Sequence, residues 1–129
     1  MNIYTDGSSR GNPGPAGCAF VVYRDSIKVH EFSRNLGRET NNYAEYQALL
    51  DALEYCNSID DDVTIHSDSQ LVIKQVKGEW KCKKEKLKPL CKRAQELMKS
   101  NYNLVHVSAH CGIEGNEEAD RLAVQAALN

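Results

Sequence analysis

No apolar run in this sequence exceeds a few residues. A helix able to cross a bilayer needs about 20, so a membrane span is excluded. No two of the five cysteines, Cys18, Cys56, Cys82, Cys91 and Cys111, have C-x-x-C spacing, and the count is odd. A disulfide framework and a structural zinc site are therefore disfavoured, and buried thiols in a reducing cytoplasm are expected. Cys111 stands beside His110, but sequence neighbours rarely face each other as a nucleophile and its base must. Proline is scarce, at 3 residues. Two of these, with four glycines, fall between Gly7 and Gly17, where a loop with defined turns is expected. Met1 leads straight into the alternating Asn2-Ile3-Tyr4-Thr5, so no secretory leader is expected. Repeats and low-complexity tracts are also lacking.

Net charge is small too, at −2, yet its distribution is uneven. Between Lys74 and Lys99, ten Lys or Arg face three Glu, giving +7 and leaving −9 for the rest. Such a split can hold an anionic polymer on one side and cations on the other, although a solvated lysine-rich helix explains the charge equally well. The 129 residues, 41% hydrophobic and 26% charged, suit one soluble domain over 1–129.

Hydrophobic periodicity predicts strands at 2–6, 18–24, 27–34, 63–66 and 104–107. It predicts helices from Thr40 or Asn41 to near Cys56, from about Ser69 to Val76, from Leu87 to Lys99 and from Glu114 to Ala127. Trp80 to Lys86 reads as a basic connection. Early hairpins imply antiparallel pairing, and later crossovers imply parallel strands in the same sheet. The expected fold class is α/β, a mixed five-stranded sheet flanked by helices.

Four carboxylates are conspicuous in this frame. Asp6 ends the first strand and Asp68 the fourth; at parallel neighbouring strands their side chains would be adjacent. Glu45 heads the apolar stripe Ala48, Leu49, Ala52, Leu53, and Asp120 heads Ala123, Val124, Ala127, so both point towards the packed side. Taken singly, each is as well explained as a cap, turn residue or surface ion pair. Taken together, converging carboxylates repel unless cations bind between them, and hard oxygen donors suit Mg²⁺ or Mn²⁺. Two such ions can activate water and stabilise the leaving oxygen of a phosphodiester. His110, in the loop before the last helix, suits proton transfer or assistance to product departure. His30, His66 and His106 read as structural.

The segments Tyr4–Gly17 (YTDGSSRGNPGPAG), Thr40–Leu49 (TNNYAEYQAL), His66–Val72 (HSDSQLV) and His110–Ala123 (HCGIEGNEEADRLA) resemble, in order, the successive motifs of type 1 ribonuclease H. The resemblance covers nearly the whole chain. It implies a ribonuclease H-like fold with strand order 3-2-1-4-5, strands 1–3 antiparallel and 4 and 5 parallel to 1. It implies endonucleolytic cleavage of the RNA strand of RNA·DNA hybrids, leaving 5′-phosphate and 3′-hydroxyl ends. Two Mg²⁺ ions, with Mn²⁺ able to substitute, would be held by Asp6, Glu45, Asp68 and Asp120, with His110 as the loop histidine. It further implies RNA-strand contacts from Gly7, Ser8, Asn12, Asn41 and Gln70. A DNA-phosphate pocket would form at Thr40, and Trp80 would pack on DNA sugars, a core anchor being the other reading for Trp80.

The stretch between Val76 and Leu87 is short, so the long basic handle helix of some relatives is expected to be absent. Lysines 81, 83, 84, 86 and 88 would replace part of its grip. Ala109 stands where glycine is more usual in the family. No separate N-terminal hybrid-binding domain is expected. The hybrid is the expected partner, with no membrane, no obligate protein partner and a monomeric state. Two other readings are a catalytically silent hybrid-binding module and a nuclease of the same fold acting on duplex DNA or duplex RNA.

Overall fold

A computed structural model describes residues 1–108 and 113–129. Strands β1 (Asn2–Ser9), β2 (Gly14–Arg24) and β3 (Ile27–Glu39) come first, followed by helix α1 (Asn41–Asn57). Strand β4 (Val63–Ser67), helices α2 (Gln70–Val76) and α3 (Lys88–Leu97), strand β5 (Tyr102–His106) and helix α4 (Glu114–Leu128) complete the order. The sheet runs β3-β2-β1-β4-β5. β2 is antiparallel to β1 and β3, whereas β4 pairs in parallel with β1 on one side and β5 on the other. This is the expected ribonuclease H-like order, with the helices on both faces.

Local chemistry explains the boundaries. Asp25 and Ser26 take positive φ, 50° and 65°, and form the tight turn between β2 and β3. The Thr40 hydroxyl accepts from the Tyr43 N–H and caps α1. Pro89 sits at the start of α3, where its missing N–H costs nothing.

Strand alternation divides the core. Ile3, Val22, Ile65 and Leu104 face α1 and α3, packing with Tyr46, Leu49, Leu53 and Ala94. Ala19 and Val21 face α4, packing with Ala119, Leu122 and Ala123, and Tyr4 joins that side. Asp6 therefore shares the Tyr4 face of β1 and looks towards α4.

Several boundaries differ from the sequence expectation. The stretch from Gly7 to Gly17 is mostly strand, not loop: β1 runs to Ser9 and β2 starts at Gly14. The glycines at its two ends serve close packing instead of turns. A Cβ on Gly7 would lie 2.2 Å from the Ala44 carbonyl carbon, and one on Gly17 2.5 Å from the Ala127 nitrogen. β3 extends to Glu39 because it keeps pairing with the lengthened β2. β5 lies two residues earlier at its start, following the register of β4.

Among the described residues no helix is long and apolar enough to cross a membrane. Cys18, Cys56 and Cys91 are buried, Cys82 is half-buried, and all four are free thiols. Cys111 lies outside the described residues.

Candidate metal centre

The parallel pairing of β1 with β4 sets Thr5 beside Ser67. One residue further stand Asp6, which lies inside β1 and not at its end because β1 keeps pairing with β2 as far as Ser9, and Asp68, just past the carboxyl end of β4. Asp6 is 3% exposed. Glu45 comes from the first turns of α1, where its Oε1 accepts from the Gly7 N–H at 2.7 Å. The same N–H reaches the Asp6 Oδ1 at 3.0 Å. Gly7 is thus both the contact that lets α1 approach β1 and the donor that orients two of the acids. One carboxylate oxygen each from Asp6, Glu45 and Asp68 lies within 4.8 Å of the others. Asp120, on α4, stands outside that group of three but adds its negative charge to the surroundings of Asp6.

Burial first, then the charges of Asp68 and Asp120, push Asp6 up to about 9. Glu45 is also raised well above the carboxylate range, by burial and then by Asp6 and Asp68, with the Gly7 N–H opposing. As a set of anions the four acids are unfavourable without positive charge between them. Hard carboxylate donors this close fit a divalent cation such as Mg²⁺ or Mn²⁺ and offer none of the nitrogen or sulfur that zinc prefers.

Around this centre the remaining candidates fall into two groups. Asn12 Oδ1 accepts from the Asn41 N–H at 3.0 Å, and Asn41 Oδ1 accepts from the Ser9 N–H at 3.1 Å. These bonds join the β1–β2 connection to the start of α1, close to Ser8 and Glu45. Asn12 and Thr40 also line a cleft of about 190 Å³ with Asn42, Lys84, Lys86 and Leu87. Lys86 pairs with Glu39 and lies 4.8 Å over the Tyr43 ring. Gln70 is exposed at the start of α2, two residues from Asp68.

Trp80 stands apart, 46% exposed, in a second cleft with Lys81, Cys82, Lys88 and Lys92. That exposure excludes the core-anchor reading. His110 lies outside the described residues. His66 stacks on Tyr4 at 4.3 Å and its Nε2 meets Asn2 Oδ1 at 3.1 Å, while His30 stacks on Tyr55 at 4.6 Å. Both fit a structural role.

Sequence reasoning passed over Asn116. It is 2% exposed on α4, one turn before Asp120, and its Oδ1 has no partner among the described residues. The four-residue spacing to Asp120 was the only signal available.

Fold and centre together define an α/β protein with an acidic, cation-seeking site where β1 runs beside the carboxyl end of the parallel strand β4. The family described as RNase H matches residues 1–128. Ribonuclease HI of Halobacterium salinarum is 42% identical over 130 residues, covering 98% of this chain and 63% of that protein. Ribonuclease H of Cyanothece sp. is 36% identical over 133 residues, covering 94% of this chain and 85% of that protein. The crystal structure of the Halobacterium salinarum ribonuclease H1 superimposes with a TM-score of 0.84 at 41% identity, over 97% of this chain and 95% of that one. The LC11 ribonuclease H1, solved in complex with an RNA/DNA hybrid, gives 0.86 at 36% identity, over 98% of this chain and 95% of that one. The chain belongs to the ribonuclease H family.

Proposed function

We propose that this chain is an endonuclease that hydrolyses the RNA strand of RNA·DNA hybrids, with Asp6, Glu45, Asp68 and Asp120 holding two divalent cations, Mg²⁺ foremost. The observation that carries this reading is the convergence of three carboxylate oxygens within 4.8 Å, with the charge of Asp120 added to the surroundings of Asp6. When bound, such ions supply Lewis-acid polarisation of a phosphodiester and make water acidic enough to attack at neutral pH. Family membership and the hybrid held by the LC11 relative support the substrate.

The chain's own residues would divide the work. Asp6, buried and central, would be shared by the cations, and its burial would limit competing water. Asp68 and Asp120 flank it from β4 and α4. Glu45, fixed by the Gly7 N–H, faces the attacking water and the neighbouring 2′-hydroxyl. Asn12, Asn41, Gln70, Gly7 and Ser8 grip the RNA strand in the minor groove, where 2′-hydroxyls distinguish RNA from DNA. Thr40, with Lys84 and Lys86 across the same cleft, would take a DNA phosphate. Trp80 would pack on DNA sugars. His110 is assigned to product release on its sequence context alone. The products are a 5′-phosphate and a 3′-hydroxyl.

The test is cleavage of an end-labelled hybrid with Mg²⁺, alongside duplex DNA and duplex RNA of the same sequence. Selective cutting of the hybrid's RNA, abolished by a chelator and by Asp68→Asn, is the expected result. Equal cleavage by wild type and Asp68→Asn would remove the metal assignment. Tight binding of the hybrid with no cleavage would favour a silent binding module, and preferential cutting of duplex DNA would change the substrate.

A further inference from the structure

Strand β3 ends the sheet, so among the described residues one of its long sides is unpaired. It is exposed along nearly its whole length and carries Ile27, Val29 and Phe32 at 66%, 50% and 40% exposure. His30 and Phe32 share the face of β3 from which Arg34 reaches Asp51 of α1 at 2.8 Å. On that face four rings line a groove of about 240 Å³. His30 stacks on Tyr55 of α1 with centroids 4.6 Å apart. Phe20 lies 5.8, 5.7 and 5.4 Å from His30, Phe32 and Tyr55. Asp51 and Glu54 complete the lining. Both oxygens of Asp51 accept from Arg34, whereas Glu54 is exposed and has no ion-pair partner among the described residues.

Aromatic faces attract cations, and a guanidinium can also stack on them. A free carboxylate beside the rings adds an ionic partner. The chain outside Lys74–Lys99 carries −9, so the surroundings draw a basic partner and repel nucleic acid. The open edge of β3 offers backbone donors and acceptors at strand spacing. A strand added there would set every second side chain on the face that holds His30 and Phe32.

We propose that β3 and this groove form a docking site for an extended, arginine-bearing segment of a partner protein. The segment adds to the edge of β3 and lays an arginine across Phe32 and His30, with its guanidinium meeting Glu54. Ile27 and Val29 cover apolar side chains of the same segment. A second copy of this chain is a poorer occupant, because its Arg34 would first have to leave Asp51. Tyr55 is near the end of α1 opposite Asn41, about 20 Å away along the helix. The site therefore leaves the residues assigned to the hybrid uncovered and does not depend on that assignment.

The probe is a short blocked peptide of alternating valine and arginine, titrated into the isotope-labelled protein with saturating Mg²⁺, so that cations already occupy the acidic centre. Amide shifts confined to Ile27–Arg34, with shifts of the Tyr55 ring, are expected. Phe32→Ala and Glu54→Lys should each weaken binding by about tenfold and leave hybrid cleavage unchanged. The same peptide methylated on alternate backbone nitrogens should not bind, because strand addition needs those hydrogen bonds. Absence of binding, equal binding of a peptide with glutamate in place of arginine, or shifts centred on another surface overturns the proposal. So does self-association through β3 with no binding of the peptide, which would assign the edge to a second copy.

Discussion

Asp6, within β1, is crowded by the charges of Asp68, just past β4, and of Asp120, within α4, and that crowding has a cost. Its folded pKa, about 9, is raised from 3.8, so the metal-free fold is favoured at low pH by this group. That contribution is fully present below about pH 4 and is lost as pH rises towards 9. Asp6→Asn removes the penalty. Thermal unfolding at pH 8 in a chelator should show Asp6→Asn melting several degrees above wild type, with the gap closing near pH 4. Saturating Mg²⁺ should reverse the order at pH 8, because only the wild-type carboxylate gains from the ion. Asp68→Asn removes a charged donor from the same centre. Losing several kcal/mol of charge stabilisation lowers kcat by about a hundredfold or more, read on a labelled hybrid at saturating Mg²⁺.

At the scale of elements, the join between β1 and α1 is the tightest constraint around the site. A methyl group on Gly7 would meet backbone at 2.2 Å, and backbone cannot rotate aside as a side chain can. Gly7→Ala should therefore cost about 3 kcal/mol or more, seen as a lower urea midpoint at unchanged slope. It should also disturb Glu45, whose orientation depends on the Gly7 N–H. The basic connection is a separate case. Lys86 is held by Glu39 and Tyr43 on the wall of the Thr40 cleft, and its removal leaves the core intact. Lys86→Ala should raise KM for the hybrid, leave kcat unchanged, and reduce the slope of log affinity against log salt by about 1. Lys86→Arg should recover most of that loss.

Over the whole molecule, charge is segregated: +7 between Lys74 and Lys99 and −9 elsewhere, within a net −2. The fold turns this into geometry by setting Asp6 within β1 beside Asp68 at the end of β4, and the lysines on the connection and α3. Hybrid affinity should accordingly fall by about tenfold or more when salt rises from about 50 to 200 mM, because binding releases cations condensed on the nucleic acid and that release is less favourable into concentrated salt. A binding curve that stays flat over that range would argue against the lysine-rich segment as the grip. The acidic end should show the opposite preference, gaining thermal stability on addition of Mg²⁺ alone.

Element type and order, the strand order implied by the four motifs, and the identity of the four acids were all legible in the amino-acid sequence. Apolar periodicity and cap chemistry are local, and Glu45, Asp68 and Asp120 each sit at a readable position within their element, whereas Asp6 read as a strand end and lies inside β1. Tertiary structure decided what depends on contacts across the chain. The glycines between Gly7 and Gly17 read as turn residues, since nothing local reveals that α1 and α4 press against Gly7 and Gly17. The burial of Asn116 and the exposure of Trp80 are likewise products of packing between distant segments. So is the most consequential property of the centre. Four acids can be counted in the sequence, but only their convergence around a buried Asp6 creates the electrostatic demand for a cation.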